Sequence, residues 1–192
     1  HHVSGHWAVV NSRALEVGGI REETADPPGG AYGRDPDTGR LNGILYEQAE
    51  FAYVFEGTNN QPPVMPALSL KDRMKGMRLA CDRYLASGIT GVHDALVSAQ
   101  TLETYQEAFK SGDLKLRVYM LISIEYLPHL QALSLRTGFG NEWLKIGGVK
   151  ILADGAIAGR TAYLSEPYIG SEGRGILAVE SEEVLHALIW KG

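Results

Sequence analysis

The sequence predicts an α/β fold, and two observations carry that prediction. From Ile89 to the end of the chain, short strand-like runs alternate with runs of helical periodicity. The strand-like runs are apolar on both faces, as in a parallel sheet covered by helices. Composition agrees with one folded, soluble domain. Of 192 residues 44% are hydrophobic and 21% charged, no apolar run approaches the length of a membrane span, and a single cysteine leaves no disulfide framework.

In chain order, Ala8, Val9, Asn11, Ala14 and Leu15 followed by Gly18-Gly19 predict a short helix over 7–17 with a glycine stop. Pro27-Pro28-Gly29-Gly30 interrupts regular structure. Asp37-Thr38-Gly39, between the extended runs Ala31–Asp35 and Leu41–Tyr46, then predicts a hairpin. A Pro-rich connection over 61–66 closes the region, so residues 18–68 read as an excursion from the main architecture, of the length that carries lids and binding loops. Leu70, Met74, Met77, Cys81, Tyr84 and Leu85 recur at spacings of three and four, with Ser69 and Asp72 as a capping box and Gly88 as the stop, which predicts a helix. Ile89–Asp94 and Leu116–Ile124 read as strands, and Ser98–Lys110 between them as a helix with Leu102, Tyr105 and Phe109 on one face. Leu127–Leu135 reads as a helix with Pro128 near its first position, Trp143–Leu152 as a strand, and Ser181–Trp190 as a helix capped by Ser181. A complete eightfold barrel needs about 250 residues. Three or four β/α units make this, if a barrel, part of one.

Charge narrows the function. Eighteen basic against 23 acidic residues give a net charge of -5, and no Lys/Arg cluster offers a footprint for nucleic acid or an anionic membrane. Small-molecule chemistry remains. The lone Cys81 fits a reducing, cytoplasmic compartment. The chain opens on His1-His2 without an initiator Met or a targeting segment and closes on an apolar helical run, which reads as an excerpt of a longer protein.

In open α/β sheets and in barrels the chemistry sits at the carboxyl ends of the strands, which directs attention to residues 90–94, 123–126 and 150–161. Lys150 stands in Ile146-Gly147-Gly148-Val149-Lys150-Ile151-Leu152-Ala153-Asp154, apolar on both sides, and alternation puts it on the face of Gly148, Leu152 and, if the strand runs on, Asp154. A lysine buried in mid-strand must be ion-paired, neutral or modified. Pairing with Asp154 is one reading. The other is a neutral lysine that takes up carbon dioxide and becomes an anionic carbamate ligand. His93 and Asp94, at the end of their predicted strand, offer a metal ligand or a general base, and parity groups Asp94 with Thr90 and Val92. The glycine-rich run 153–161, which includes Arg160, lacks the Lys-Ser/Thr ending of a phosphate loop.

Several of these segments together resemble a known family. Ser4-Gly5-His6-Trp7-Ala8-Val9-Val10-Asn11-Ser12-Arg13-Ala14-Leu15-Glu16, Asp26-Pro27-Pro28-Gly29-Gly30, Arg34-Asp35 and Gly39-Arg40-Leu41-Asn42-Gly43-Ile44-Leu45-Tyr46-Glu47 are similar to the central part of amidohydrolase family 3. Gly88-Ile89-Thr90-Gly91-Val92-His93-Asp94-Ala95, Val149-Lys150-Ile151-Leu152-Ala153-Asp154-Gly155, Arg160-Thr161-Ala162 and Pro167-Tyr168 follow in the family's order. The resemblance implies part of a (β/α)8 TIM barrel and a metal-dependent hydrolase that breaks non-peptide C–N bonds of a small amide-type substrate by a metal-activated hydroxide. It implies one or two divalent ions, zinc by preference, with Lys150 as the carboxylated bridge and Asp154 orienting the lysine or its loop. The other ligands are expected from a His-x-His and later strands, which this chain does not contain. It further implies 1–17 as a strand end and helix, 18–68 as an insertion at the mouth of the site, and 69–192 as successive β/α units. His6 and Asn11 fall at the root of the insertion and, with Asp94 and Arg160, are the candidate substrate-binding residues. Uncovered edges of a partial barrel would favour a homo-oligomer. The alternative reading is a non-catalytic binding or regulatory module in which Lys150 is paired with Asp154.

Overall fold

Two packing units divide the chain, His1–Ala67 with Leu152–Lys191 and Leu68–Ile151, in a computed structural model that describes residues 1–51, 53, 65, 67–179 and 181–191. The Pro-rich stretch expected over 61–66 lies, Met65 apart, outside the described residues.

The first unit holds an antiparallel sheet of β1 (Trp7–Val9), β2 (Gly30–Arg34) and β3 (Leu41–Glu47), in the order β1-β3-β2. The expected hairpin forms: Asp35 Oδ1 accepts from Thr38 N and Thr38 Oγ1, both at 2.8 Å, and so closes the turn between β2 and β3. Trp7–Val9 corrects the expected helix start. These residues are extended because the open edge of β3 pairs with them, Trp7 against Tyr46 and Val9 against Ile44. The helix, α1 (Ser12–Val17), begins after Asn11, whose Oδ1 accepts from Ala14 N at 2.9 Å. Ile20, Tyr32, Leu45, Ala49 and Tyr53 form the apolar core, and a single turn, α2 (Gln48–Glu50), follows β3 directly.

The second unit alternates α3 (Leu70–Ala86), β4 (Gly91–Val97), α4 (Ala99–Ser111), β5 (Arg117–Ser123), α5 (Leu127–Ala132) and β6 (Leu144–Lys150), with the strands parallel in the order β4-β5-β6. The class is therefore α/β. Ser69 and Ser98 cap α3 and α4 by accepting from the backbone N–H three residues on, each at 3.2 Å. Val118, Met120 and Ile122 of β5 and Leu144 and Ile146 of β6 are buried on the helix-covered face, with Met74 and Met77 of α3 packed against them. Leu102 and Tyr105 of α4 pack against this core, whereas Phe109, expected on the same face, is exposed, and Thr104 and Ala108 are the buried residues of the helix.

Two carboxyl ends of the parallel strands differ from expectation by two residues or more. β4 runs past Asp94 to Val97, which pairs with Ile122, and β6 stops at Lys150 rather than Leu152. Beyond Lys150 the chain leaves the parallel sheet. Residues 152–191, expected to continue the β/α series, belong to the first unit: they fold back on themselves, with Asp154 bridging Leu177 and Ala178 N donating to Ala153 O at 2.9 Å, and Gly155 seats against Glu47. This segment ends in α6 (Glu182–Lys191). Among the described residues no helix is long and apolar enough to cross a membrane.

Candidate functional site

Strand register sorts the candidates of the second unit onto two faces. Asp94 pairs with Met120 and so shares the helix-covered face, where it accepts a hydrogen bond from Tyr105 Oη of α4 at 2.7 Å. Burial, reinforced by that carboxylate, holds the Tyr105 phenol far above its ordinary pKa. The strand end expected at Asp94 is thus corrected: the residue lies inside β4 and is bound to the helix layer.

His93 points the other way. It registers with Tyr119 across rings 4.7 Å apart, and Tyr119 Oη donates to Gly147 O at 3.1 Å. Gly147 must lack a side chain, because a Cβ there would run into the Tyr119 ring. A bulge at Gly147 shifts the register of β6, so that Gly148 pairs with Leu121 and Lys150 with Ser123. Lys150 thus shares a face with Gly148, as alternation predicts. It stands at the carboxyl end of β6 and is half-buried, not sealed in mid-strand. Four residues separate the Tyr119 level from the Ser123 level, roughly 13 Å along an extended strand, so His93 and Lys150 occupy different layers of one face. A second bulge, at Leu96 with φ 126°, strains the carboxyl end of β4.

In the first unit the loop after β6 is fixed by its own bonds. Asp154 Oδ2 accepts from Tyr163 N at 2.9 Å, and Thr161 Oγ1 accepts from Ala156 N at 3.0 Å. Arg160 is exposed in a left-handed conformation, φ 56°. Asn11 serves as the cap of α1.

His6 stands at the edge of an arrangement that no sequence motif marks. Its Nδ1 lies 2.8 Å from Glu47 Oε2, and its carbonyl accepts from Glu47 N at 3.0 Å. Glu47 ends β3 at φ 50°, in a region that side chains rarely adopt, and is buried. Its Oε1 finds no hydrogen-bond partner among the described residues and sits where a Cβ on Gly155 would be. One helical turn on, Glu50 is fully buried; one oxygen meets His1 Nδ1 and the other, Oε2, has no partner among the described residues. Burial raises the pKa of Glu50, and the Glu47 charge adds to the rise against the opposing pull of the α-amino group, His6 and His2. A signal for Glu47 is nevertheless present in the sequence. On β3 the inward positions are Gly43, Leu45 and Glu47, so period-two alternation places a carboxylate on the buried side.

Among the described residues no group of three or more His, Cys, Asp or Glu side chains is placed to hold a metal ion. A cleft of about 620 Å³ in the second unit runs between α5 and β6, lined by Leu127, Leu130, Leu135 and Ile146 among others, and touches none of the candidates.

Comparison with known proteins meets this picture. The chain is 29% identical over 191 residues to amidohydrolase YtcJ of Bacillus subtilis, covering 97% of this chain and 34% of that protein. It is 30% identical over 133 residues to the N-substituted formamide deformylase of Arthrobacter pascens, 68% of this chain and 23% of the enzyme. A crystal structure of an uncharacterized metal-dependent hydrolase from Pyrococcus furiosus superposes with a TM-score of 0.63 at 27% identity, over 97% of this chain and 36% of that one. The chain thus spans about a third or less of the length of the relatives it matches. The model of the amidohydrolase family matches residues 1–191, and the chain belongs to that family.

Proposed function

We propose that this chain forms part of a metal-dependent hydrolase that cleaves non-peptide C–N bonds of small amide-type substrates, on a (β/α)8 barrel in which β4, β5 and β6 are consecutive strands. The observation that carries the reading is Lys150. It closes β6 at the carboxyl end, on the sheet face opposite the helices, in the position where barrel enzymes place their chemistry. In this reading its amine is carboxylated and contributes a ligand to one or two divalent ions, zinc by preference, whose remaining donors lie beyond the described residues. The chemistry such a metal supplies is activation of water at neutral pH. Asp154, tied to Tyr163 N, keeps the loop after the lysine in place. Asn11 Oδ1 is engaged by Ala14 N and Asp94 Oδ2 by Tyr105 on the helix side, so His6 and Arg160 are the substrate-facing candidates we retain. Membership in a hydrolase family and likeness to a formamide deformylase support the bond class.

The test is Lys150→Ala in the full-length protein, assayed for bound metal and for hydrolysis of a panel of N-substituted formamides. The expected result is loss of both, with a carbamate carbon resonance present in wild type grown with labelled bicarbonate and absent in the variant. Unchanged hydrolysis by the variant would overturn the role given to Lys150.

A further inference from the structure

We propose that Glu47 and His6 form a carboxylate–imidazole dyad, in which Glu47 is the positioning residue and His6 Nε2 is the acid–base atom that gives a proton to the leaving nitrogen of the substrate. The inference rests on the C–N hydrolase reading above and adds to it a residue pair.

Four observations converge on the pair, all within the first unit. An ionised carboxylate only accepts hydrogen bonds, so the 2.8 Å contact to Glu47 Oε2 requires the proton on His6 Nδ1. In the neutral ring this leaves the lone pair on Nε2, and in the charged ring it leaves a second N–H there. The pair is graded in depth: the His6 side chain is 22% exposed and that of Glu47 5%. The buried member thus orients the accessible one, the arrangement in which carboxylates set histidine tautomers. The backbone ties the two residues a second time, Glu47 N to His6 O. Finally, the placement is costly. Glu47 sits at φ 50° with Oε1 buried and without a partner among the described residues, and only a glycine at 155 leaves room for that oxygen. Strain and an unsatisfied buried oxygen of this kind persist where a site requires them.

The proton balance is simple. As water adds to the carbonyl carbon and the C–N bond breaks, the imidazolium Nε2–H passes to the departing nitrogen, which leaves as a neutral amine. The ring then recovers a proton from the added water, and the products are a carboxylic acid and an amine.

The test uses the full-length protein and two formamides that differ in leaving group, a 4-nitroanilide and an N-alkyl amide. A 4-nitroaniline leaving group needs little help from an acid, whereas an alkylamine cannot leave unprotonated. Glu47→Gln and His6→Gln should each lower kcat on the alkyl amide by about 100-fold and on the nitroanilide far less, and Glu47→Asp should restore part of the loss. Bound metal should be unchanged. Equal losses on both substrates, or none, would overturn the dyad while the hydrolase reading stands. If wild type hydrolyses neither amide, that reading fails for formamides, and carbethoxylation by diethyl pyrocarbonate judges the dyad without substrate. Faster acylation of His6 in wild type than in Glu47→Gln supports it; equal rates overturn it.

Discussion

In the second unit Asp94 turns toward the helix layer and meets the hydroxyl of Tyr105 at 2.7 Å, and Tyr105 packs against a core whose buried members are aliphatic or methionine. In the first unit Glu47 and Glu50 are buried more deeply, and each keeps one oxygen without a partner among the described residues. Both regions draw carboxylates inward, Asp94 half-buried and the two glutamates buried, with opposite consequences. Asp94 is matched by a neutral donor and adds to the packing of α4 on the sheet. The glutamates lie among imidazoles, one of them on a strained backbone, where stability alone would favour an apolar residue. On the reading proposed above, the contrast separates a layer built for packing from a corner held in place for chemistry.

That contrast can be challenged most sharply at the level of activity. Lys150→Ala should reduce hydrolysis by the full-length protein to background, whereas Asp94→Asn, whose amide oxygen can still accept from Tyr105, should leave turnover within a few-fold of wild type. A collapse of activity in Asp94→Asn with the fold intact would show that the helix-side carboxylate serves more than packing. Next in size is the core of the second unit. Met120, 2% exposed, should lose about 2–5 kcal/mol of stability on replacement by Ala, read from urea unfolding.

The corner in the first unit should respond to added volume. Gly155→Ala drives a methyl group into the Glu47 carboxylate and Thr161, and is expected to cost about 1–3 kcal/mol. Gly76, inside α3 with nothing near its missing Cβ, is the matched control: Gly76→Ala should stabilise by roughly 0.4–1 kcal/mol. If the two substitutions behave alike, the close seating of Gly155 on Glu47 is wrong.

A pH dependence is the weakest of these effects. Burial raises the Glu50 pKa above the ordinary 4.5, so between 4.5 and the raised value the folded chain binds more protons than the unfolded one. The sign follows: this contribution to stability is full below 4.5, falls as pH rises through the window, and is constant above it. Melting temperatures measured across that range should show the decline in wild type and lose it in Glu50→Gln.

Most of the second unit is legible in its amino-acid pattern. The three-and-four spacing from Leu70 to Leu85, the serine caps and the two-sided apolar strands each specify a local conformation that the parallel sheet then accepts. The departures gather where long-range pairing outweighs local pattern. Trp7–Val9 is a strand because the edge of β3 is there to pair with, and β4 runs on to Val97 because β5 offers partners that far. The site is legible in part. Lys150 stands out as a charge in an apolar run, while Glu47 is marked only by its inward position on β3, and its partners His6 and Gly155, far from it in the chain, are marked by nothing local.

The α/β class, the helices and strands of residues 69–150 and the family follow from the amino-acid order alone, because they depend on periodicities and motifs that are written locally. Which face each strand residue shows, the joining of residues 152–191 to the first unit and the meeting of His6 with Glu47 are settled only when the chain folds. Those outcomes depend on bulges that shift register by one residue and on contacts between segments about forty residues or more apart, and no local pattern encodes either.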